Sequence, residues 1–288
     1  MYTELGHTAE GIMADRVVSF IHSADPRFGF PAIDEMKKRS LAELKAWLAP
    51  ELAESFLEVS FVGDVDPKAA LEATAATLGA LPRRAAKKAD YTAARKVAFP
   101  APQIQDFKFT TEIPKAIAAI YWPTADMSDI QRTRRLSVLA AVLDDRLRLK
   151  VREELGETYS PACYHVANDT FTGYGYMTAM IEVKPEQLET IGALVGEIGQ
   201  GVADGPITDD EFERAMKPLL SQLEQMRRDN RYWSQNVLRN AHEHPERLDW
   251  ARALVTDFQN IKREEIQALA KEYLPATRTV TARIIPEK

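Results

Sequence analysis

Apolar residues recur every three or four positions over a long stretch near the middle of the chain. The stripe consists of Leu136, Leu139, Leu143, Leu147, Val151 and Leu155, a spacing that puts one apolar face along a helix. Ser128 and Gln131 have the spacing of a capping box at its start. Gly156 is suited to end it, because glycine takes the left-handed conformation without a steric clash. Charged residues fill the other faces, namely Arg146, Arg148, Arg152 and Glu153.

Alternation of apolar and polar residues predicts strands on both sides of this helix. Two are predicted before it and two after it, over Gln103–Thr111, Lys115–Trp122, Tyr159–Ala167 and Gly175–Val183. Val280, Ala282 and Ile284 alternate in a last strand, and helical stripes are predicted over 188–202, 212–226 and 262–274. This set of elements predicts an α+β fold, an antiparallel sheet flanked by helices.

A unit of helix, proline and strand occurs twice, at residues 40–62 and 263–285. In the first copy, Ser40 and Glu43 form a capping box, Pro50 is expected to end the helix, and 57–61 alternate as a strand. Asp66 is the predicted N-cap of the next helix. The second copy has four strands and the long helix upstream of it, whereas the first has only about forty residues of mostly helical sequence.

We therefore predict two related α/β domains, of which the first lacks its beginning. Residues 83–102, rich in Pro, Ala, Lys and Arg, are the predicted linker. The predicted parts are then 1–82, the C-terminal portion of the first domain, and 103–288, a complete second domain. The alternative is that the two units only look alike, because helix and strand units are common.

Composition excludes several classes of function. The net charge of −6 argues against a nucleic-acid partner. Cys163 is the only cysteine, so a disulfide within the chain and a thiolate zinc site are both excluded. No apolar run approaches the roughly 20 residues that a membrane-spanning helix needs.

The histidines form no zinc-peptidase motif. In the inverted pattern H-x-x-E-H, His7 has Glu10 in place but Gly11 where the second histidine must stand. The HEHPE sequence at His242 fails H-E-x-x-H because Glu246 takes the second position, and it is predicted to be a loop. There is no G-x-S-x-G, P-loop or complete G-x-G-x-x-G motif either. The chain's own residues thus predict no metal, nucleotide or acyl-enzyme site.

One short pattern resembles a known family. Arg152, Gly156, Tyr159 and Ser160 have the spacing found in the C-terminal half of insulinase/pitrilysin-family zinc peptidases. Residues 61–82 resemble the end of the third domain of that family, and the sequence from Gln103 onward resembles the fourth. Taken without the resemblance, Arg152 simply pairs with Glu153 or Glu154 on a solvated face, and Tyr159 caps a core.

The resemblance implies a metallopeptidase fold of the LuxS/MPP-like kind and a role for two side chains. In the family the zinc is held by H-x-x-E-H and a downstream Glu of the N-terminal half, so this chain is expected to bind none. The resemblance makes Arg152 and Tyr159 the catalytic residues, which contact the peptide and stabilise the transition state. Lys150 is the alternative cation if the larger insulin-degrading members are the better guide.

The implied function is that of the non-zinc C-terminal half of a zinc-dependent metalloendopeptidase, which closes the chamber and positions the peptide. Its expected partners are a peptide substrate and a zinc-bearing N-terminal half, on the same polypeptide or on a separate subunit. The alternatives are a non-catalytic peptide-binding or scaffold subunit of the same fold, and an unrelated α/β domain that dimerises. A soluble chain is expected, and the compartment, bacterial periplasm or cytoplasm, stays open.

Overall fold

In the computed structural model, which describes residues 5–155 and 161–287, five strands form one sheet. They are β1 (Gln103–Thr110), β2 (Ala116–Thr124), β3 (Ala162–Ala167), β4 (Gly175–Val183) and β5 (Val280–Glu287), in the order β1-β5-β2-β4-β3. Ala119 of β2 lies opposite both Met180 of β4 and Ala282 of β5. The predicted α+β class and the predicted strands of this region are confirmed.

One edge of the sheet departs from the predicted antiparallel pattern. β1 pairs with β5 in parallel, whereas the other three pairs of neighbouring strands are antiparallel. A parallel pair needs a long crossover connection, and the connection from β1 to β5 contains all the other strands. Alternation of apolar and polar residues within a strand does not indicate whether the neighbouring strand runs parallel or antiparallel. For this reason the parallel pairing of β1 with β5 was not predicted.

Besides four short 3-10 helices, the described part of the chain contains ten α-helices and two π-helices. They are α1 (Ala9–Ile12), π1 (Met13–Val17), α2 (Val18–Ile21), α3 (Ile33–Lys37), α4 (Leu41–Glu54), α5 (Pro67–Ala76), α6 (Ile130–Leu155), α7 (Leu188–Asp204), α8 (Asp209–Met226), π2 (Tyr232–Val237), α9 (Glu246–Gln259) and α10 (Arg263–Tyr273). Among these described helices, none has the length and hydrophobicity that crossing a membrane requires.

The chain divides into two compact units. The sheet unit comprises Met1–Pro31, Ala94–Leu219 and Phe258–Lys288, and the helical unit comprises Ala32–Ala93 and Leu220–Asp257. The boundaries of these two units differ from those of the predicted parts 1–82, 83–102 and 103–288. Those parts refer to family domains and stay a prediction.

Helix α6 is the central helix of the sheet unit. The predicted stripe from Leu136 to Val151 is buried, with each side chain at most 1% exposed. Val138 and Val142 are fully buried as well, because α6 packs against β3 and β4 and also against α7 and α10. The predicted cap was one residue off: Asp129, not Ser128, accepts from the first turn, at 2.9 Å from the Arg132 amide. Ser128 bonds to Asp126 instead.

The remaining helices of this unit cover both faces of the sheet. Helix α7 packs on β2, where Gly199 admits the ring of Trp122; a Cβ at residue 199 would lie 2.7 Å from Cζ2 of that ring. On the other face, Ile12, Val17 and Ile21 of the N-terminal helices join a core that includes Phe107, Phe109, Tyr121, Ala282 and Ile284. The wide turn of π1 accounts for the uneven apolar spacing of that segment.

In the helical unit, α4 continues past Pro50, which corrects the predicted end. Arg84 caps the observed end, because its guanidinium donates to the backbone oxygens of Leu52 and Ser55 at 2.6 and 2.8 Å. These bonds satisfy carbonyl groups that a helix end leaves free. The capping box of Ser40 and Glu43 is confirmed at the start of α4. Asp66 caps α5 as predicted.

The strand predicted at Leu57, Val59 and Phe61 is wrong for this structure. Residues 56–62 belong to no helix or strand, and the three apolar side chains are 40–52% exposed. Among the described residues, the backbone groups of 57–61 form no hydrogen bond with another backbone group. Alternation marks a segment that can enter a sheet, but a strand also needs a neighbouring strand.

Candidate functional site

The predicted site lies where α6 ends and β3 begins. Arg152 is on the last turn of α6 and its side chain is exposed. Among the described residues it has no acidic partner within ion-pair distance, so the pairing with Glu153 that a solvated face would produce is absent there. Its guanidinium lies at the end of a helix whose stripe is buried up to Val151.

Lys150, the alternative cation, has an acidic partner. Its Nζ lies 2.9 Å from Oε2 of Glu153, and both side chains are more than half exposed. An ammonium group that already has a carboxylate partner is less available to a substrate. The choice of Arg152 over Lys150 as the site cation stays a prediction.

Tyr159, with Gly156 and Ser160, lies outside the described residues. The predicted juxtaposition of the Arg152 guanidinium and the Tyr159 phenol therefore stays a prediction. The described chain resumes at Pro161, directly before β3. In the described part of the chain, β3 pairs with β4 alone and so forms an edge of the five-stranded sheet.

The start of β3 is fastened to α6 by a carboxylate that sequence reasoning missed. Oδ1 of Asp144 accepts a hydrogen bond from the Cys163 amide at 2.9 Å. Burial raises the pKa of the Asp144 carboxyl above its ordinary value, and the bond to Cys163 opposes that rise. Cys163 is half-buried, and burial raises the pKa of its thiol well above the ordinary value, which disfavours the thiolate that a nucleophile needs.

A charged network holds the same part of α6 against α8. Arg214 of α8 and Arg148 both bind Asp145, at 2.8 and 3.3 Å. Arg146 pairs with Glu211 and donates to the backbone oxygen of Pro206 at 2.9 Å. The sequence shows two charged clusters, DDRLR at 144–148 and TDDEFER at 208–214. Local spacing could not predict that these two clusters pair across two helices. The network fixes the helix on which Arg152 is carried.

His165 packs on the α6 side of β3 and is neutral. Burial lowers its pKa to about 4, and one ring nitrogen lies 3.1 Å from the hydroxyl of Thr124. Because the unfolded side chain titrates near 6.5, the unfolded state binds more protons between these two values. The stability that His165 contributes is therefore complete above pH 6.5 and is lost as the pH falls towards 4.

Because of this histidine, we expect the free energy of unfolding to fall by about 2 kcal/mol when the pH is lowered from 7 to 5. Urea denaturation at both pH values measures this difference for the wild type and for His165→Gln. Glutamine is chosen because its amide can still bind the Thr124 hydroxyl. The variant is expected to lose most of that difference. His7→Gln, at an exposed position, is the control and should keep the wild-type pH dependence; equal slopes for all three proteins would contradict the assignment.

The described residues do not fit a zinc site. They contain no group of three or more His, Cys, Asp and Glu side chains placed to hold a metal. The histidines are dispersed: His7 bonds to the Thr110 carbonyl, His22 stacks on Phe28, and His244 lies 3.1 Å from Glu246. The loop predicted at HEHPE is confirmed.

Comparison with protein families supplies the identity. Residues 40–219 match the model described as the peptidase M16 inactive domain. The chain belongs to this family. Within the M16 family, the matched range includes α6, Arg152 and the strands β1 to β4. The matched range also includes residues 57–61 of the helical unit, whose apolar side chains are exposed.

Solved M16-type structures share the fold. One is a peptidase M16 inactive domain from Pseudomonas fluorescens, with 17% identity, a TM-score of 0.70, and coverage of 100% of this chain and 68% of that one. A protease from Helicobacter pylori has 13% identity and a TM-score of 0.72, covering 97% and 68%. The ferredoxin protease FusC, solved with Arabidopsis ferredoxin, has 14% identity and a TM-score of 0.69, covering 98% and 30%.

At these identities the M16 structures show the fold alone. A search of curated sequences found no match. The predicted recognition of an insulinase-type C-terminal half is confirmed at the level of the M16 inactive domain.

Proposed function

We propose that this M16 inactive domain is the non-zinc half of a zinc-dependent metalloendopeptidase. In this proposal it closes the chamber over a peptide, and Arg152 and Tyr159 contact the reacting peptide group. The zinc is assigned to an N-terminal half, on the same polypeptide or on a separate subunit, and the described residues of this chain offer no ligand set for it. The observation that carries the proposal is the exposed guanidinium of Arg152, which has no acidic partner among the described residues, at the end of a firmly held helix.

The chemistry follows from the two side chains. A guanidinium stays charged and presents several N–H donors in a fixed plane. A phenol with an ordinary pKa of about 10 stays protonated near neutral pH and donates one hydrogen bond. Both can bind the oxygen of the scissile carbonyl as negative charge develops on it, and donors preorganised in this way lower the barrier.

A scaffold role is the second candidate. The family match itself supports it, since the matched model describes an inactive domain. A peptide-binding subunit without chemistry would use the same exposed arginine only to hold a carboxylate or a backbone carbonyl. The two functions therefore differ in which step depends on Arg152.

The test measures turnover and affinity separately in the assembled protein with its zinc-bearing half. We expect Arg152→Ala and Tyr159→Phe each to lower kcat by about a hundredfold, the usual cost of losing one oxyanion donor. The affinity for the peptide, measured by anisotropy with zinc removed, is expected to fall by less than tenfold. Arg152→Lys should restore only part of kcat, because the ammonium group lacks the planar donor geometry.

Lys150→Ala is the matched control. It removes a cation two residues away on the same helix, but one that is paired with Glu153, so kcat is expected to stay within about twofold. Equal losses of affinity and turnover in Arg152→Ala would support the scaffold. A large loss in Lys150→Ala with an unchanged Arg152→Ala would instead assign the site to Lys150.

A further inference from the structure

A cavity of about 300 Å³ lies between the end of α7 and one side of α10. It is lined by residues 204–207 and by the α10 residues Arg263, Glu264, Gln267 and Lys271, all of which belong to the sheet unit. Its volume is at the lower end of the range of pockets that bind small ligands. Arg152 is not among the residues that line it, so the proposed function leaves this cavity unexplained.

The wall formed by residues 204–207 is held in place by two side chains. The side-chain oxygen of Gln267 accepts a hydrogen bond from the Ile207 amide at 2.7 Å, and its NH2 group donates to the backbone oxygen of Val202 at 3.2 Å. Arg146 of α6 donates to the backbone oxygen of Pro206 at 2.9 Å. The cavity is therefore preformed, and a ligand does not have to order this segment before it binds.

The charge of Arg263, on the first turn of α10, is already compensated. Its guanidinium lies 3.2 Å from Oδ1 of Asp209 and 2.8 Å from Oε1 of Glu264. It also donates to the backbone oxygen of Ile207 at 3.4 Å. A guanidinium with two carboxylate partners adds little net attraction for an anionic ligand. The recognition of a ligand therefore depends on the other charged side chains of the lining.

Two charged side chains of the lining remain, Asp204 and Lys271, and neither is in an ion pair. In the part of the chain that the structure describes, no side chain of opposite charge lies within 4.0 Å of either of them. Oδ2 of Asp204 accepts a hydrogen bond from the side-chain amide of Gln200 at 2.9 Å, and a neutral amide does not neutralise its charge. Asp204 and Lys271 thus bring opposite charges to one cavity without pairing with each other.

The Asp204 end of the cavity is suited to an ammonium group. Asp204 is the last residue of α7, and the C-terminus of a helix carries partial negative charge. The backbone oxygens of Asp204 and Gly205 accept no hydrogen bond from the described residues, so acceptors are available there beside the carboxylate. An ammonium group has three N–H donors to satisfy. Lys271, at the other charge, is suited to a carboxylate for the same reason.

The volume of the cavity and its two charges together define the ligand. A cavity of about 300 Å³ has the volume of a sphere about 8 Å across, and a fully extended dipeptide is about 7 Å long. A dipeptide with free ends carries an ammonium group at one end and a carboxylate at the other. An anion alone would be repelled by Asp204, and a cation alone would be repelled by Lys271, so a zwitterion fits this lining better than either.

We propose that this cavity binds dipeptides whose two ends are free. The ammonium group of the ligand lies at Asp204 and the end of α7, and its carboxylate lies at Lys271. Peptides with free ends are what peptide hydrolysis releases, which gives the ligand a source under the proposed function. The binding itself uses neither Arg152 nor Tyr159 and is independent of that function.

Isothermal titration calorimetry of the 288-residue chain tests the proposal. The probes are alanyl-alanine, its N-acetylated form, its C-amidated form, and the form blocked at both ends. We expect alanyl-alanine to bind with a Kd of about 1 mM or lower. Each single block is expected to weaken binding by about tenfold or more, because it removes one charged contact. Free alanine, which fills less of the cavity, is expected to bind more weakly than alanyl-alanine by about the same factor.

Two substitutions assign each charge of the protein to one end of the ligand. Asp204→Asn keeps an acceptor for Gln200 and loses the charge, so we expect alanyl-alanine to bind about tenfold more weakly and N-acetylation to have no further effect. Lys271→Met is expected to weaken binding equally, and C-amidation then has no further effect. Lys217→Met is the matched control. It removes a cation of α8 that is paired with Glu213 at 2.8 Å and does not line the cavity, so binding is expected to stay unchanged.

The melting temperatures of Asp204→Asn and Lys271→Met are expected to stay within a few degrees of the wild type, because both positions are exposed. A loss of binding then reports the contact with the ligand and not unfolding. The proposal is overturned if alanyl-alanine does not bind, or if either variant binds it as tightly as the wild type does. Equal affinities for alanyl-alanine and one of its singly blocked forms would also overturn it, because one of the two charges would then have no role.

Discussion

Leu147→Ala is expected to lower the free energy of unfolding by about 2–5 kcal/mol. Leu147 is fully buried in the last third of α6, so truncation removes apolar contacts and leaves a cavity between the helix and the sheet. Part of the loss is expected to reach the site, because Arg152 lies little more than one turn further along the same helix. Urea denaturation measures the free energy of unfolding. Hydrogen exchange of the amides in the last turns of α6 measures how much stability is lost locally at the site.

Leu149→Ala is the matched control for this substitution. It changes the same residue type two positions away, but the Leu149 side chain is 46% exposed, and we expect a loss below about 1 kcal/mol. If the two variants were equally stable, the packing of α6 described above would be wrong. The comparison also removes any effect of helix propensity, since both substitutions place alanine in the same helix.

Gly175→Ala is expected to destabilise the protein by roughly 3 kcal/mol, at the upper end of the usual cost of overpacking. Gly175 begins β4 and lies between Thr124 of β2 and Ala167 of β3. A Cβ there would come within 2.0 Å of the backbone oxygen of Ala125. Because the obstacle is backbone and not the end of a flexible side chain, the strands must separate to admit the methyl group.

Gly196→Ala provides a control of opposite sign. Gly196 is in α7, and a Cβ built there meets nothing within 4 Å. Alanine in a helix interior is favoured over glycine, so we expect a gain of about 0.5–1 kcal/mol. Thermal and urea denaturation of both variants measure the two effects. A Gly175→Ala protein as stable as wild type would show that this corner of the sheet is less closely packed than described.

Periodicity predicted most of the sheet unit from the sequence. The stripe of α6 and the strands β1, β2, β4 and β5 all follow local patterns and are confirmed. These segments are buried on the face that their own pattern specifies. Local pattern and tertiary contact therefore agree, and a sequence is informative where they do.

The failures occur where a distant residue decides the local structure. Helix α4 continues past Pro50, and its end is capped by Arg84, about thirty residues away, which binds the backbone oxygens of Leu52 and Ser55. Residues 57–61 have the pattern of a strand without a neighbouring strand among the described residues. At the site, the position of Arg152 on the helix could be predicted, whereas the role of Asp144 in fastening β3 depends on a contact across 19 residues.

The place of β5 in the sheet has a consequence for how the protein is made. Among the described strands, β1 pairs with β5 alone, although about 170 residues separate the two strands in sequence. At a synthesis rate of roughly 5–20 residues per second, β1 leaves the ribosome on the order of ten seconds or more before its partner. During that interval both edges of β1 can pair with any other nascent strand. A ribosome-bound chaperone that shields residues 103–110 would therefore raise the yield of native protein more than one that acts after release.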